Sequence, residues 1–300
     1  MNPVAPSPLS PEAIRVALRS VPPLPSLNSI HQTLQELLAA EEKSTARLAL
    51  VIGRDPGLAS RLLQRVNSPE FGLQQKVKSL EDAVIHVGSR ILRDLVLMAP
   101  VVSDMKSLAG NQSSSWRALW RHSVGTALLT QELIASAGGG GSDLDYIAGL
   151  MHDVGWIVSK RLFPDHFAEM ERRFAVGKSP VVELTERSVL GVPHTLLGGW
   201  YLEQQRQDEL LVKSALFHSV PEGAGAHART VAAVQIADLF MVSIGCGHLG
   251  DPVGPDREAW KKVGAWKILF PSGNESTQRF AIRRLEVGGT RLLTLVDSVC

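Results

Sequence analysis

Six side chains in the middle of this 300-residue sequence could hold a divalent cation: His122, the adjacent pair His152-Asp153, His194, His218 and Asp238. All are nitrogen or oxygen donors with no thiol close by in sequence, which suits iron, manganese, zinc or magnesium rather than a soft metal. A cation held this way lowers the pKa of bound water and screens phosphate charge, the requirements of phosphoester hydrolysis. Taken singly, most of these residues are weak signals, because a lone helical histidine more often meets backbone or water through its ring nitrogens. His152-Asp153 carries the most weight. It lies in Ala148-Gly149-Leu150-Met151-His152-Asp153-Val154-Gly155, where burying an ionised carboxylate is costly unless it is paired or bound to a cation. Asp238, in Val234-Gln235-Ile236-Ala237-Asp238-Leu239-Phe240-Met241, is a second carboxylate inside an apolar helix, with a buried helix-to-helix hydrogen bond as its plainer reading. For the others the plainer readings are a polar face (His122), a helix entry (His194) and a favourable charge at a helix C-terminus (His218).

The elements that must position these residues are helices. Apolar residues recur at three- and four-residue steps in Leu27, Ile30, Leu34, Leu37 and Leu38, one face of a helix. Ser44-Thr45 and Asp55-Pro56 suit further helix starts, and Ser79-Leu80-Glu81-Asp82 is a capping sequence ahead of Ala83, Val84 and Val87. The segment from Ile91 to Val102 is apolar enough for a buried helix. A long helix is expected over Trp116 to Ala137, ending in a flexible joint at Gly138 to Gly141, and another over Asp143 to Lys160. Neighbours in a helix diverge by about 100°, so His152 and Asp153 reach one ion only in the cleft between that helix and its neighbours. Further helices fit Val181 to Leu190, Thr195 to Gln204, Glu209 to Phe217 and Ala228 to Ile244. Strict two-residue alternation is scarce, so the fold class expected is all-α.

With 44% apolar residues the chain has ample material for a core, and 31 Lys plus Arg against 30 Asp plus Glu leave no strong field for nucleic acid or anionic lipid. Cys246 and Cys300 cannot make a disulfide framework, and a reducing compartment is expected. The Pro- and Ser-rich start lacks a basic, apolar leader, and no apolar stretch reaches membrane-spanning length. A cytoplasmic protein without nucleic-acid or membrane partners follows.

Several short motifs occurring in order carry a resemblance. Pro22-Pro23-Leu24-Pro25, Asp55-Pro56, Leu62-Leu63, Asn67-Ser68, Phe71-Gly72, Ser79-Leu80-Glu81-Asp82-Ala83-Val84 and Gly88 precede the His152-Asp153 run and Gly191-Val192-Pro193-His194. Together they resemble the HD-related output domain (HDOD) family, within the HD superfamily of metal-dependent phosphohydrolases, from about Val21 to His218 and more loosely to Asp238. The resemblance implies a multi-helix bundle of HD type with an N-terminal helical subdomain. The expected layout is a flexible segment over 1–20, an HDOD domain over 21–245 with halves at 21–108 and 116–245, and a C-terminal helical extension over 246–300. It also implies metal ligands at His122, His152, Asp153 and Asp238, with His194 and His218 at positions used for a second metal or for phosphate.

HDOD proteins act as output or regulatory modules in bacterial signalling, so the resemblance implies a non-catalytic module that binds a signalling protein partner. The alternative is a divalent-metal phosphohydrolase or phosphodiesterase acting on a nucleotide or other phosphoester, and a third reading is metal or nucleotide sensing without chemistry. The branch that hydrolyses cyclic dinucleotides has lysine where this chain has Trp156, a second histidine where it has Ser219, and Gly-Tyr-Pro where it has Pro221-Glu222-Gly223-Ala224-Gly225-Ala226. The first 20 residues and the C-terminal stretch are too short for a receiver, kinase or cyclase segment, so the signal is expected to arrive through a separate molecule.

Overall fold

Residues 5–21, 62, 66–67, 73, 76–86, 114–139, 142–175, 182–247, 258–271 and 275–299 are described by the structure, a computed structural model. Every regular element among them is helical. The chain divides into two units, one formed by residues 1–22 with 108–298 and the other by 23–107. All six candidate ligands belong to the first.

In the 23–107 unit the expected capping sequence operates. The Asp82 N–H donates to Ser79 Oγ at 3.0 Å, the Ser79 hydroxyl donates to Asp82 Oδ2 at 2.6 Å, and a helix runs over 80–86 with Ala83 and Val84 buried. Asn67 clasps the chain just ahead of this helix, its amide accepting from the Val77 N–H at 2.8 Å and donating to the Val77 carbonyl at 2.9 Å. The helices expected around Leu27 to Leu38, Leu48 to Ile52 and Ile91 to Val102 lie outside the described residues.

The first unit opens differently from expectation. Within the segment expected to be flexible, Pro11–Leu18 forms helix α1, with Ser10 accepting from the Ala13 N–H and Ile14 and Leu18 fully buried. Its Pro and Ser content reads as a loose start, yet Ser10-Pro11-Glu12 is an N-cap, a first-turn proline and a first-turn acid, and Ile14 and Leu18 share one face. The segment docks through Leu9 N–H to the Leu190 carbonyl at 3.0 Å, Gln204 to the Leu18 carbonyl at 2.9 Å, and Arg15 over the Trp200 ring at 4.1 Å.

The bundle around the site follows as α2 (Ser114–Ser136), α3 (Asp143–Met151), α4 (Val154–Leu162), α5 (Pro164–Ala175), α6 (Val182–Val189), α7 (His194–Gln204) and α8 (Glu209–Phe217). A 3₁₀ helix (Pro221–His227) then leads to α9 (Ala228–Ser243). Helices α2, α3 and α9 pack together as the centre of the unit. Ser142 and Asp145 form a capping box that starts α3, and the other oxygen of Asp145 accepts from Thr230 at 2.8 Å, pinning α3 to α9. The expected glycine joint after α2 is ordered at its start: Gly138 adopts a left-handed conformation (φ 79°), and the Gly139 N–H donates to the Ile134 carbonyl at 2.9 Å.

Helix α5 was not anticipated in the sequence, although Pro164 at its start, Asp165 in its first turn, Arg172 and Arg173 in its last, and buried Phe167 and Met170 are its signals. Glu169 on this helix bonds both arginines at 2.7 and 2.8 Å. Those bonds hold its carboxyl down at about 2, against 4.5 ordinarily. A depressed carboxyl stabilises the fold above its unfolded value and stops doing so as pH falls through its folded one. Glu169→Gln is therefore expected to cost about 0.5–1 kcal/mol at neutral pH, as a solvent-screened pair does, and to flatten the acid limb of unfolding between pH 4.5 and 2. Urea titrations at pH 7 and pH 3 check this.

Beyond α9, α10 (Ala259–Lys262), α11 (Ala265–Leu269) and α12 (Glu275–Val299) complete the described chain. Trp260 meets Phe240 of α9 edge-on at 5.0 Å and accepts, through its carbonyl, from Trp266 Nε1 at 2.7 Å. The start of the expected extension is thus packed on the bundle.

Candidate metal centre

The helix expected over Asp143 to Lys160 is broken in two at the ligand pair. Met151 ends α3, and Asp153 (φ −104°, ψ 18°) stands outside helical geometry at the head of α4. Just past the break the packing is close: a Cβ at Gly155 would run into the His194 carbonyl and lie 3.0 Å from the Gly198 nitrogen, so only glycine lets α4 meet α7 there. The break also removes the 100° divergence. His152 Nε2 and Asp153 Oδ2 lie 3.2 Å apart.

Asp153 is the centre of the cluster, and its two oxygens face two different pairs of imidazoles. Oδ2 lies 3.2 Å from His152 Nε2 and 3.8 Å from His122 Nε2. Oδ1 lies 3.3 Å from His194 Nε2 and 3.6 Å from His218 Nε2. Within each pair the Nε2 atoms face one another, at 3.4 Å for His122 and His152 and 3.5 Å for His194 and His218. Asp238 sits beside the first pair, its Oδ1 3.2 Å from His122 Nε2. The six residues singled out in the sequence therefore come together, from α2, the α3–α4 break, α7, the end of α8 and α9.

Each histidine is oriented from behind. His122 Nδ1 faces the Cys246 carbonyl at 2.9 Å, His152 Nδ1 the Gly149 carbonyl at 2.7 Å, and His218 Nδ1 the Ser214 carbonyl at 3.2 Å. A carbonyl only accepts, so each Nδ1 donates to it and Nε2 is the atom that each ring turns inward. Imidazole nitrogens meeting in pairs beside a carboxylate form a donor set that a cation would satisfy, and imidazoles backed by carbonyl groups are how proteins orient metal ligands. The donor set and its orientation fit one divalent cation between His122, His152 and Asp153, and a second between Asp153, His194 and His218.

Two of these supports were not read from the sequence. Gly245 (φ 82°) ends α9 with the Cys246 N–H donating to the Met241 carbonyl at 2.9 Å, and this turn aims the Cys246 carbonyl at His122. The sequence signal for this turn is a glycine just past a helical run. Glu186 of α6, almost wholly buried, accepts from His194 Nδ1 at 2.8 and 3.0 Å and from its backbone N–H at 2.9 Å. Eight residues separate the two, and the turn at Gly191 to Pro193 that joins them gives no periodic cue.

The electrostatics differ between the compartments. Burial works against a charged His194, but Glu186 and Asp153 outweigh it and hold the ring well above its ordinary pKa. Burial pushes His218 down to about 4, so it is neutral at physiological pH and offers a lone pair. For Asp238, burial pushes the carboxyl up, and His122 more than reverses this, keeping it below the usual range. Replacing Glu186 by Gln keeps the volume and removes the charge behind His194. Affinity in the His194–His218 compartment is expected to fall about 10- to 100-fold with the His122–His152 compartment unchanged, measured by competitive titration against a metal-chelating dye.

Access is narrow. His122, His152, Asp153 and His218 are each at most 4% exposed, and only the edges of His194 and Asp238 reach solvent, at 13% and 20%. Trp156, where the dinucleotide-cleaving pattern has lysine, stacks on His194 with ring centroids 4.8 Å apart and is flanked by Phe167 and Phe174. No helix among the described residues is long and apolar enough to cross a membrane.

Comparison with known proteins places this architecture. The fold is similar to an HDOD domain protein with unknown function from Geobacter sulfurreducens, at TM-score 0.76 and 22% identity over 96% of this chain and 99% of that one. It is also similar to a Shewanella amazonensis protein whose phosphohydrolase name is a conjecture, at TM-score 0.66 and 19% identity over 96% and 98% of the two chains. An uncharacterized protein of Treponema pallidum is 22% identical over 224 residues, which make up 73% of this chain and 42% of that protein, so the chain spans less than half the length of this curated relative. The family model described as HDOD domain matches residues 24–221. With two thirds of its length matched, the chain belongs to the HDOD family.

Proposed function

We propose that this chain is a signalling output module of the bacterial type, which acts by binding a protein partner and carries a structural, two-compartment divalent-cation centre in its bundle. The observation that supports this best is a complete set of oriented donors behind nearly closed walls. Structural metal sites are closed, whereas catalytic ones keep a position open to substrate. His122, His152 and Asp153, with Asp238 at the rim, would hold one ion; Asp153, His194 and His218 would hold the other. When bound, such ions neutralise the buried carboxylates, acidify water and screen phosphate charge. The chain's own residues set the rest: Glu186 and the Cys246 carbonyl fix two rings, and Trp156 covers His194.

A second reading is a metal-dependent phosphohydrolase or phosphodiesterase acting on a nucleotide or other phosphoester. The exposed edges of His194 and Asp238 favour it, since they would be the contacts left for a phosphate. Against it stand the stacked Trp156, Ser219 beyond His218, and a 3₁₀ helix without Gly-Tyr-Pro at 221–227. A phosphoester panel with added manganese or iron separates the two. Under the first reading no turnover is lost on Asp153→Asn, and a partner is retained by metal-loaded protein. Turnover that this substitution abolishes would establish the second.

A further inference from the structure

Away from the metal centre, α7 and α8 form a helical hairpin with a groove of about 630 Å³ between them. Its floor is apolar and half-buried: Leu196 and Trp200 from α7, and Val212, Leu216 and Phe217 from α8. Its rim is charged. Glu203, Gln207 and Glu209 gather where the hairpin turns, while Arg187, bonded to Glu183 at 2.7 Å with both side chains half exposed, lines the groove with Pro193 and Thr195. Lys213 lies between them, over the Phe217 ring and 4.0 Å from Glu209.

We propose that this groove is the surface on which the partner docks, and that its occupant is an amphipathic helix of that partner. The helix lies along the groove with a basic end over Glu203 and Glu209 and an acidic end over Arg187. This deepens the partner-binding reading above and rests on it. Leu196 and Trp200, like Val212 and Leu216, are four residues apart on their helices, a repeat of about 6 Å. That repeat matches the i, i+3, i+4 and i+7 anchors with which a helix fills a hydrophobic groove. A small ligand is a poorer fit, because pockets for small molecules enclose most of the ligand surface and these floor residues remain half open.

The groove is built onto the metal centre. Helix α7 begins at His194 and α8 is capped by His218, with their Nε2 atoms 3.5 Å apart, so the ends of both walls are fixed in the second compartment. Gly199 lies under Leu216, where a Cβ would strike the leucine side chain. That glycine lets Leu216 sit low enough to serve as floor.

The test is photo-crosslinking with the full chain in its native cell. A benzophenone amino acid is placed at position Leu196 or Val212 in the groove, or at the exposed positions Val220 and Phe280 as comparators. Crosslinked segments are mapped by mass spectrometry. The expected result is a groove-specific crosslink to another protein, in a segment with apolar residues at three- and four-residue spacing and Lys or Arg at one end. Glu203→Lys, at an exposed position, is expected to cut the yield about tenfold with metal content and thermal unfolding unchanged. Crosslinks only to a second copy of this chain, or only to a small molecule, overturn the proposal. A partner crosslinked only at Val220 or Phe280 overturns the groove assignment and leaves partner binding standing. No crosslink from any of these positions counts against both.

Discussion

Asp153→Asn is expected to empty both compartments at once. The substitution preserves volume and removes the carboxylate that, among the described residues, faces both imidazole pairs, at 3.2 and 3.8 Å on one side and 3.3 and 3.6 Å on the other. Wild-type protein purified without chelator is expected to contain about two divalent ions per chain, and the variant none, by elemental analysis. Stability follows by linkage. An ion that binds only the folded chain stabilises it by about 2.7 kcal/mol at 100 times its Kd, so adding manganese raises the wild-type unfolding midpoint and leaves the variant's unmoved. His122→Ala, by contrast, is expected to remove one ion and spare the other, because His194 and His218 meet only Oδ1 of Asp153.

The second large effect is on the backbone that makes the pair possible. Gly155→Ala places a methyl group against the His194 carbonyl and the Gly198 nitrogen. Both obstacles are backbone, which cannot rotate away as a side chain can. Forced overpacking of this kind costs about 1–3 kcal/mol, and the upper end is expected here, lowering Tm by roughly 5 °C for a chain of this size. Because His194 is the residue displaced, ion binding in the second compartment is lost with it. Calorimetry with and without manganese reads both effects: a lower Tm, and a metal-induced shift smaller than that of the wild type.

How much of this was legible depends on how local each signal is. The helices over Glu209 to Phe217 and Ala228 to Ser243 were readable because apolar periodicity and caps lie within each segment. Of the six clustered residues, His152-Asp153 and Asp238 stood out because a carboxylate in an apolar helix needs a partner, while the lone histidines took their weight from the resemblance. The break at His152-Asp153 was not readable, since the apolar run continues through it and the close approach beside it pairs Gly155 with the later helix α7. Glu186 escaped notice because nothing in its own helix marks it, and it becomes functional only where the turn at Gly191 to Pro193 folds His194 back upon it. Helix α1 was hidden by a composition of Pro and Ser that suits a loose end, though Ser10, Pro11 and buried Ile14 and Leu18 also suit a capped helix. The C-terminal extension hid a role of another kind, because the Cys246 carbonyl at its start orients His122 from 124 residues away.

The central claim is that Asp153 is shared by two cation compartments, and the most direct test is anomalous diffraction from crystals of the full chain grown with manganese. Two anomalous peaks are expected, one between Asp153 Oδ2 and the His122–His152 pair and one between Asp153 Oδ1 and the His194–His218 pair. A map without a peak at either place, with protons alone bridging the imidazoles and carboxylates, would contradict the claim and leave the cluster as buried polar packing.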